Sequence, residues 1–277
     1  MHRILIAGCG YVGGRLAEQL VAEGVQVFGL RRGTGPMADG VVPLVGDLAE
    51  PGSLPELPAG LTGVACTVAA GTGTEEGYDR AYVRGLQGLL AWLAAGNQAP
   101  RVVFTSSTGV YGQRAGELVD EESATEPVGF RGGKMLAAEQ VLLQAELPGV
   151  VVRLGGIYGP GRTSVIERAR RGELTVPTEP LFTNRIHRND AAACVRHLLQ
   201  IDNPRSIYVG VDDEPVEQGE FHRWICAELG VEPPVRGSSA EPARGSKRCS
   251  NARLRASGFA FGYPTFREGY GELLRAQ

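Results

Sequence analysis

The chain has 277 residues, of which 43% are hydrophobic and 21% charged, and its formal net charge is −3. This length suffices for one large domain or for a domain with an added lobe. The slightly negative charge argues against a nucleic-acid or anionic-membrane partner. No apolar run reaches the ~18 residues of a membrane span, and no apolar signal segment precedes the first strand, so we expect a cytoplasmic protein without a membrane partner.

The cysteines argue for a reduced protein without a metal site. They are odd in number, scattered, and show no CxxC spacing. They are Cys9, Cys66, Cys194, Cys226 and Cys249. We therefore expect free thiols and no bound metal.

The N-terminal stretch has the pattern of a strand, a glycine turn and a helix. An apolar run at 4–7 is followed by a GxGxxG spacing and then by apolar residues at helical intervals. In this context the glycines allow a tight turn, close approach of backbone N–H groups to a pyrophosphate, and close packing of helix on strand. A purely structural turn is the alternative. The residues predicted to contact a dinucleotide here are Gly8, Cys9, Gly10, Tyr11, Val12 and Gly13.

A second strand is predicted at 25–30, and it ends in Arg31 and Arg32. A fold that selects NAD(H) places Asp or Glu at this point to bind the ribose 2′-hydroxyl. Two guanidinium groups instead suit a 2′-phosphate, so NADP(H) is preferred, with NAD(H) as a possible cofactor. A solvated basic loop is the alternative interpretation.

Strand and helix patterns alternate along the first 161 residues. Further strands are predicted at 41–45, 61–70, 101–105 and 150–154, and helices at 75–95 and from about Gly132. This alternation predicts an α/β fold, a Rossmann-type doubly wound parallel sheet with ligands at the carboxyl ends of its strands.

Beyond Arg162 the pattern weakens into shorter elements. We predict a helix at 190–199, a strand at 206–211, a helix at 217–229 and a loop at 238–246. The sequence thus predicts a dinucleotide-binding domain over 1–161, its sheet completed in part by later segments, and a small C-terminal substrate lobe over 162–277.

Several motifs together resemble the extended short-chain dehydrogenase/reductase superfamily, specifically the NAD(P)-dependent epimerase/dehydratase family. They are the glycine turn, SSTGVYG at 106–112, Lys134 leading a helix, RLGGIYGPGR at 153–162 and NRIHRNDAAA at 184–193. The resemblance covers nearly the whole chain. It implies that Ser107 orients the substrate oxygen and that Lys134 holds the nicotinamide ribose. The family's catalytic tyrosine falls on Phe130, which has no proton to give, so Tyr111 or a water held by Ser107 is the candidate substitute acid.

The remaining predicted site residues lie after strands or in the segments that carry the resemblance. Asp47, Ala69 and Ala70 are predicted from their places after strands, with turn chemistry as the alternative. Predicted cofactor contacts further along the chain are Asp47, Leu48, Ala69, Ala70, Lys134 and Ile157. Predicted substrate contacts are Ser107, Arg162, Asn184 and Arg185, although the arginines have an equal claim to surface ion pairs.

The sequence therefore predicts an NAD(P)-dependent oxidoreductase or epimerase acting on a hydroxyl- or carbonyl-bearing small molecule such as a sugar derivative. A non-catalytic NADP(H)-binding redox sensor is the alternative, because Phe130 replaces the tyrosine. The long helices around Tyr82 and Lys134 form a dimer bundle in many relatives, which makes a homodimer a further expectation.

Overall fold

The computed structural model describes residues 2–237 and 245–276. Most of the loop predicted at 238–246 therefore lies outside the described residues. The chain forms two compact units. The first comprises Met1–Val110, Pro127–Arg153 and Ala191–Tyr208, and the second comprises Tyr111–Glu126, Leu154–Asp190 and Val209–Gln277.

The strands are numbered in chain order. They are β1 Arg3–Ala7, β2 Gln26–Arg31, β3 Val41–Val45, β4 Gly63–Cys66, β5 Arg101–Ser107, β6 Glu117–Val119, β7 Gly149–Leu154, β8 Gly156–Tyr158, β9 Thr175–Val176, β10 Phe182–Thr183, β11 Arg185–His187, β12 Ile207–Gly210, β13 Val216–Glu217, β14 Val235–Arg236 and β15 Lys247–Cys249.

The α-helices are numbered in the same way. They are α1 Tyr11–Ala22, α2 Glu75–Tyr78, α3 Gly85–Ala95, α4 Phe130–Leu143, α5 Ser164–Arg170, α6 Arg188–Gln200, α7 Gln218–Leu229, α8 Ala252–Ala256 and α9 Phe266–Arg275. A π-helix, Asp79–Arg84, lies between α2 and α3.

Within the described residues, seven parallel strands form the central sheet in the order β12-β7-β5-β4-β1-β2-β3. The predicted Rossmann-type α/β fold is confirmed. In register, Ala7 of β1 lies opposite Leu30 of β2 on one side and Cys66 of β4 on the other. The chain builds the sheet outward from β1 in one direction and then returns to build β4, β5 and β7 in the other. The loops after β1 and β4 therefore diverge, which opens a crevice at the carboxyl ends of these strands.

The helix predicted over 75–95 is interrupted. Leu86, Leu89 and Leu93 of α3 are fully buried, as the apolar stripe predicts. The π-helix before α3 has a wider turn than an α-helix, so it shifts the phase of the residues on its two sides. Apolar spacing reports the average helical period, and for that reason it did not reveal this local change.

The second unit has an aromatic core. Tyr158 stacks on Tyr270 with ring centroids 4.3 Å apart and planes within 4°, and Phe221 packs edge-on against Phe266 at 5.2 Å. These rings, with buried aliphatic side chains of α5 and α7, hold the short elements of this unit together.

The cysteines lie buried as free thiols. Burial raises the pKa of Cys66 and of Cys249 to about 12, so neither thiol is reactive at neutral pH. Among residues 2–237 and 245–276 no group of His, Cys, Asp and Glu side chains has the arrangement of a metal site. Over the same residues no helix is both long and apolar enough to cross a bilayer.

Candidate functional site

The turn after β1 requires glycine at two positions for reasons internal to the protein. Gly8 has φ +93°, and a Cβ built there lies 2.6 Å from the backbone nitrogen of Val68. A Cβ at Gly13 lies 2.4 Å from the carbonyl oxygen of Gly8 and 2.5 Å from Oγ1 of Thr67. The Thr67 hydroxyl donates to the same carbonyl at 2.8 Å. These contacts fix the turn against the end of β4.

Gly10 differs, because a Cβ at this position meets no close neighbour among the described residues. The residue is exposed, and a Cβ at this position has the Gly8 carbonyl oxygen as its nearest atom, at 4.0 Å. Gly10 is the N-cap of α1, no side chain caps this helix, and its first turn carries no acidic residue. The positive end of the helix dipole at this N-terminus thus favours an anion. The absent side chain leaves a ligand free to approach the backbone, so the turn fits a dinucleotide pyrophosphate.

Two other predicted contacts in the turn have buried side chains. Cys9 lies near Gly29 of β2, and burial raises the pKa of its thiol. Val12 is also buried, whereas Tyr11 is partly exposed. Of these three residues, Tyr11 keeps side-chain surface accessible to a ligand.

The two arginines that follow β2 have different surroundings. Arg31 donates to the carbonyl oxygen of Pro36 at 2.7 Å, so its guanidinium is held by the following loop. Arg32 is exposed, and its Nη2 lies 3.2 Å from a Cβ built at Gly71 in the loop after β4. Arg32 therefore lies beside the crevice between β1 and β4, where an adenosine phosphate would be placed.

Asp47 follows β3 and is held from two sides. Its Oδ1 accepts from the Ala49 N–H at 3.0 Å, and its Oδ2 accepts from Arg80 at 2.9 Å. Burial opposes ionisation of this carboxyl, but the hydrogen bonds from Ala49 and Arg80 lower its pKa overall. Asp47 is thus a fixed carboxylate. The neighbouring Leu48 side chain is buried, and its backbone lies against Gly88 of α3.

The loop after β4 carries the two small residues predicted to lie under the cofactor. Ala69 is exposed and Ala70 is half-buried. The N–H of Ala70 donates to the Tyr82 hydroxyl at 3.4 Å, and burial raises the pKa of Tyr82. The Tyr82 side chain thereby connects the π-helix to the loop after β4.

Ser107 ends β5, with its hydroxyl partly exposed and accepting from the Gly109 N–H at 3.0 Å. The adjacent Ser106 is buried and donates to Glu139 of α4 at 2.5 Å. Oε2 of Glu139 also accepts a hydrogen bond from Nη2 of Arg153 in β7, at 2.8 Å. This buried network connects α4, β5 and β7 directly beneath Ser107.

Lys134 lies on α4, one turn after Phe130. Its ammonium donates to Asp79 at 2.9 Å and lies 3.6 Å from Glu75. The hydrogen bond to Asp79 raises the pKa of Lys134, so the side chain stays cationic. Phe130 is 37% exposed and packs edge-on against Tyr78, with ring centroids 5.7 Å apart. The helix approaches β5 closely at Gly132, where a Cβ lies 2.3 Å from the Gly109 carbonyl oxygen.

Tyr111 belongs to the second unit, and its placement argues against the predicted role as substitute acid. The residue is buried, and its hydroxyl donates to the carbonyl oxygen of Asp120 at 2.7 Å. The phenol proton therefore stabilises the 111–126 segment. Ile157, a predicted cofactor contact, lies on β8 in the same unit, opposite Ile186 of β11.

The predicted substrate residues also lie in the second unit. The amide of Asn184 donates to the Lys247 carbonyl at 3.0 Å and accepts from the Cys249 N–H at 2.8 Å. Both ends of this side chain thus bind β15, which is a structural role. Arg162 is exposed, and its Nη1 lies 3.4 Å from the Ile157 carbonyl oxygen.

Arg185 lies inside the aromatic core of that unit. Its guanidinium stacks 3.7 Å from the centre of the Phe221 ring and hydrogen-bonds to Tyr270. The nearby Asp212 is 2% exposed, and burial raises its pKa to about 8 although the charge of Arg185 acts in the opposite direction. Among the described residues, Oδ2 of Asp212 and Nη1 of Arg185 have no hydrogen-bond partner. The raised pKa favours the neutral form of the buried Asp212 at pH 7.

Sequence reasoning missed the residues that line α2 and the π-helix. The predicted helix over 75–95 has an apolar core face and gives no role to Tyr78, Asp79 or Arg80. In the structure Asp79 forms an ion pair with Lys134, and Arg80 forms one with Asp47. The sequence feature that could have indicated these contacts is the charged pair Asp79–Arg80 inside an otherwise apolar helical pattern.

A cavity of about 480 Å³ lies at the other end of the sheet, where β5 and β7 begin. Its charged residue Arg101 already donates to the carbonyl oxygens of Leu198, Leu199 and Ile201. Since this cavity is distant from the carboxyl ends of the strands, we do not assign it a role in the chemistry.

The sheet order, the glycine turn and the crevice after β1 and β4 define a Rossmann-type nucleotide-binding protein. Residues 4–210 match the family model for the NAD-dependent epimerase/dehydratase family. The chain belongs to this family, and the predicted membership is confirmed.

Relatives agree with this assignment. Protein YeeZ of Escherichia coli K12 is 30% identical over 189 residues, which make up 67% of this chain and 66% of that protein, just under two thirds of its length. A candidate NAD-dependent epimerase/dehydratase of Methylobacillus flagellatus is 37% identical, with a TM-score of 0.82 over 99% of this chain and 98% of that chain. The human epimerase family protein SDR39U1, solved with NADPH, shares the fold at 21% identity, with a TM-score of 0.80 over 99% of this chain and 100% of that chain.

Proposed function

We propose that this protein is an NADP(H)-dependent oxidoreductase or epimerase that acts at the carbinol or carbonyl carbon of a small molecule. The observation that carries the proposal is the open backbone at Gly10, beside a crevice that Arg32 borders. The first turn of α1 binds the pyrophosphate, and Asp47 binds the adenine amino group. The structure of human SDR39U1 with NADPH supports a nicotinamide cofactor in this fold.

The chemistry that the cofactor supplies is transfer of a hydride to or from the substrate carbon. In this mechanism the Ser107 hydroxyl hydrogen-bonds the substrate oxygen and fixes its position. Lys134, kept cationic by Asp79, provides positive charge near the ribose and the reacting oxygen. Positioned groups of this kind typically contribute about 10²- to 10⁴-fold to the rate.

The NADP(H) preference is tested by titrating the cofactor-free protein with NADPH and NADH, followed by nicotinamide fluorescence and thermal shift. Charge-assisted hydrogen bonds are worth about 1.5 to 3 kcal/mol, so we expect Arg32→Ala to weaken NADPH about 10- to 100-fold and NADH much less. Arg31→Ala has a smaller effect, because Arg31 is already bonded to Pro36. Arg196→Ala is the matched control, since Arg196 pairs with Glu23 at 2.5 Å. Equal weakening of NADPH and NADH by Arg32→Ala would contradict the preference.

Two glycine substitutions distinguish an effect on cofactor binding from an effect on the stability of the fold. Alanine at Gly10 projects into the space predicted for the pyrophosphate, so we expect Gly10→Ala to weaken NADPH and NADH alike at least tenfold. Because alanine is a poorer N-cap than glycine, we expect a loss of stability of only about 0.5 to 1 kcal/mol. Gly14→Ala is the control, because a Cβ at Gly14 has no protein atom within 4 Å and lies inside α1. We expect it to bind both cofactors normally and to raise stability by about 0.5 to 1 kcal/mol. Normal binding by Gly10→Ala would show that the turn is structural.

The non-catalytic redox sensor is a second candidate, favoured by Phe130 at the position predicted for the acid. A wild-type protein that binds NADPH but reduces no aldehyde, ketone or quinone substrate would favour the sensor over the enzyme.

A further inference from the structure

The missing tyrosine leaves the proposed reaction without a proton donor, and the first unit offers a phenol beside the gap. Tyr78 packs edge-on against Phe130, with planes at 89° and centroids 5.7 Å apart. Tyr78 is partly exposed, so its hydroxyl can exchange protons with solvent. The ring thus borders the position that the family pattern gives to the catalytic tyrosine.

Charged side chains of both signs lie around Tyr78, and one of the cations stacks on its ring. The guanidinium carbon of Arg131 lies 5.8 Å from the centre of the Tyr78 ring and 5.7 Å from that of Phe130. Lys134 donates to Asp79, the residue that follows Tyr78. In the family pattern lysine and tyrosine share one helix, whereas here Tyr78 and the lysine come from two helices.

The backbone fixes this arrangement. Tyr78 is the last residue of α2, and the π-helix begins at the next residue. Such π segments occur frequently at functional sites. The π-helix keeps the neighbouring Tyr82 at a centroid distance of 5.3 Å from Tyr78 while the Tyr82 hydroxyl accepts from Ala70. Tyr82 therefore has a supporting role, and Tyr78 is the accessible phenol.

We propose that Tyr78 is the general acid and base of this protein, in place of the tyrosine that Phe130 replaces. The inference rests on the proposed function. In carbonyl reduction, the Tyr78 hydroxyl would deliver its proton to the carbonyl oxygen, and a bound reduced nicotinamide would supply the hydride that the carbonyl carbon gains. The products are the alcohol, the oxidised nicotinamide and the Tyr78 phenolate, which regains a proton from water. Oxidation follows the same steps in reverse.

The test compares wild type, Tyr78→Phe and the matched control Tyr263→Phe, which removes a hydroxyl that donates to Glu272 in the second unit. NADPH binding is measured by fluorescence, and NADPH oxidation is measured with a panel of acetaldehyde, cyclohexanone and phenanthrenequinone. We expect all three proteins to bind NADPH, and Tyr78→Phe alone to slow turnover about 10²- to 10⁴-fold. Adding Phe130→Tyr to Tyr78→Phe restores part of the rate, because it returns a phenol to the same place.

A second readout does not depend on turnover. Nitration by tetranitromethane, located by mass spectrometry, reports whether bound NADPH covers Tyr78. We expect NADPH to protect Tyr78. Unprotected Tyr78 in the NADPH complex, or full turnover by Tyr78→Phe, would overturn the inference and leave the proposed function standing. Failure of wild type to bind NADPH, or to reduce any member of the panel, would overturn the proposed function and this inference with it.

Discussion

Glu139→Ala is expected to lower the free energy of unfolding by about 3 to 5 kcal/mol, because it leaves the Arg153 guanidinium buried without its carboxylate. Glu139 is 1% exposed and Arg153 4% exposed, and the two share a bidentate contact. Denaturant unfolding measures the loss. The same change removes the acceptor of Ser106, so the end of β5 beside Ser107 also loses its anchor.

The double substitution Glu139→Met with Arg153→Leu is the control for this prediction. Replacing both charges with apolar groups of similar volume is often neutral or stabilising, since neither ion then has to be desolvated. We expect the double variant to recover most of the stability that Glu139→Ala loses. A loss as large as that of Glu139→Ala would show that the network contributes more than the pairing of its charges.

The second large effect is a pH-dependent gain in stability from Asp212→Asn. Burial raises the pKa of Asp212 from 3.8 to about 8. Between these values the folded protein holds a proton that the unfolded chain releases, so the free energy of unfolding falls as the pH rises. Above pH 8 the proton on Asp212 no longer contributes to stability, and the free energy of unfolding is about 6 kcal/mol lower than it is below pH 3.8. Asparagine resembles the neutral carboxyl and has no such dependence.

Denaturant unfolding at pH 5, 7 and 9 measures this effect. We expect the advantage of Asp212→Asn over wild type to be small at pH 5 and largest at pH 9. Asp213→Asn is the control, because hydrogen bonds from Arg255 and Asn251 outweigh the cost of burial and lower the pKa of Asp213. That substitution should destabilise the protein near neutral pH. An Asp212→Asn advantage independent of pH would contradict the assignment.

The parallel sheet was predictable because each strand is an apolar run followed by a break. Strand β3 was placed at Val41–Val45 with the bounds that the structure shows. Strand β4 is shorter than the predicted 61–70 and ends at Cys66. The Thr67 N–H still donates to Ala7 of β1, while the Thr67 hydroxyl bonds to Gly8 in the glycine turn. Side-chain hydrogen bonds between distant residues leave no periodic signal in a sequence.

The candidate site was predictable where a backbone constraint requires a residue type. Gly8 and Gly13 follow from the turn, and Gly10 is explained by the cofactor approach that we propose. The roles of polar side chains were harder to predict, because the same residue type can contact a ligand or form hydrogen bonds within the protein. Asn184 was expected to meet substrate, yet both ends of its amide bind β15. These two roles are distinguished only by the hydrogen-bond partners that the side chain has in the folded structure.

The distribution of the two units along the chain limits how this protein can be divided. Residues Ala191–Tyr208 return to the first unit after the chain has entered the second, and they contribute most of α6 and half of β12. A fragment cut after residue 161 would therefore present the uncovered edge of β7 to solvent, and unpaired strand edges promote aggregation. Producing either unit by itself requires that non-adjacent segments be joined through designed connections, because no single cut in the chain separates the two.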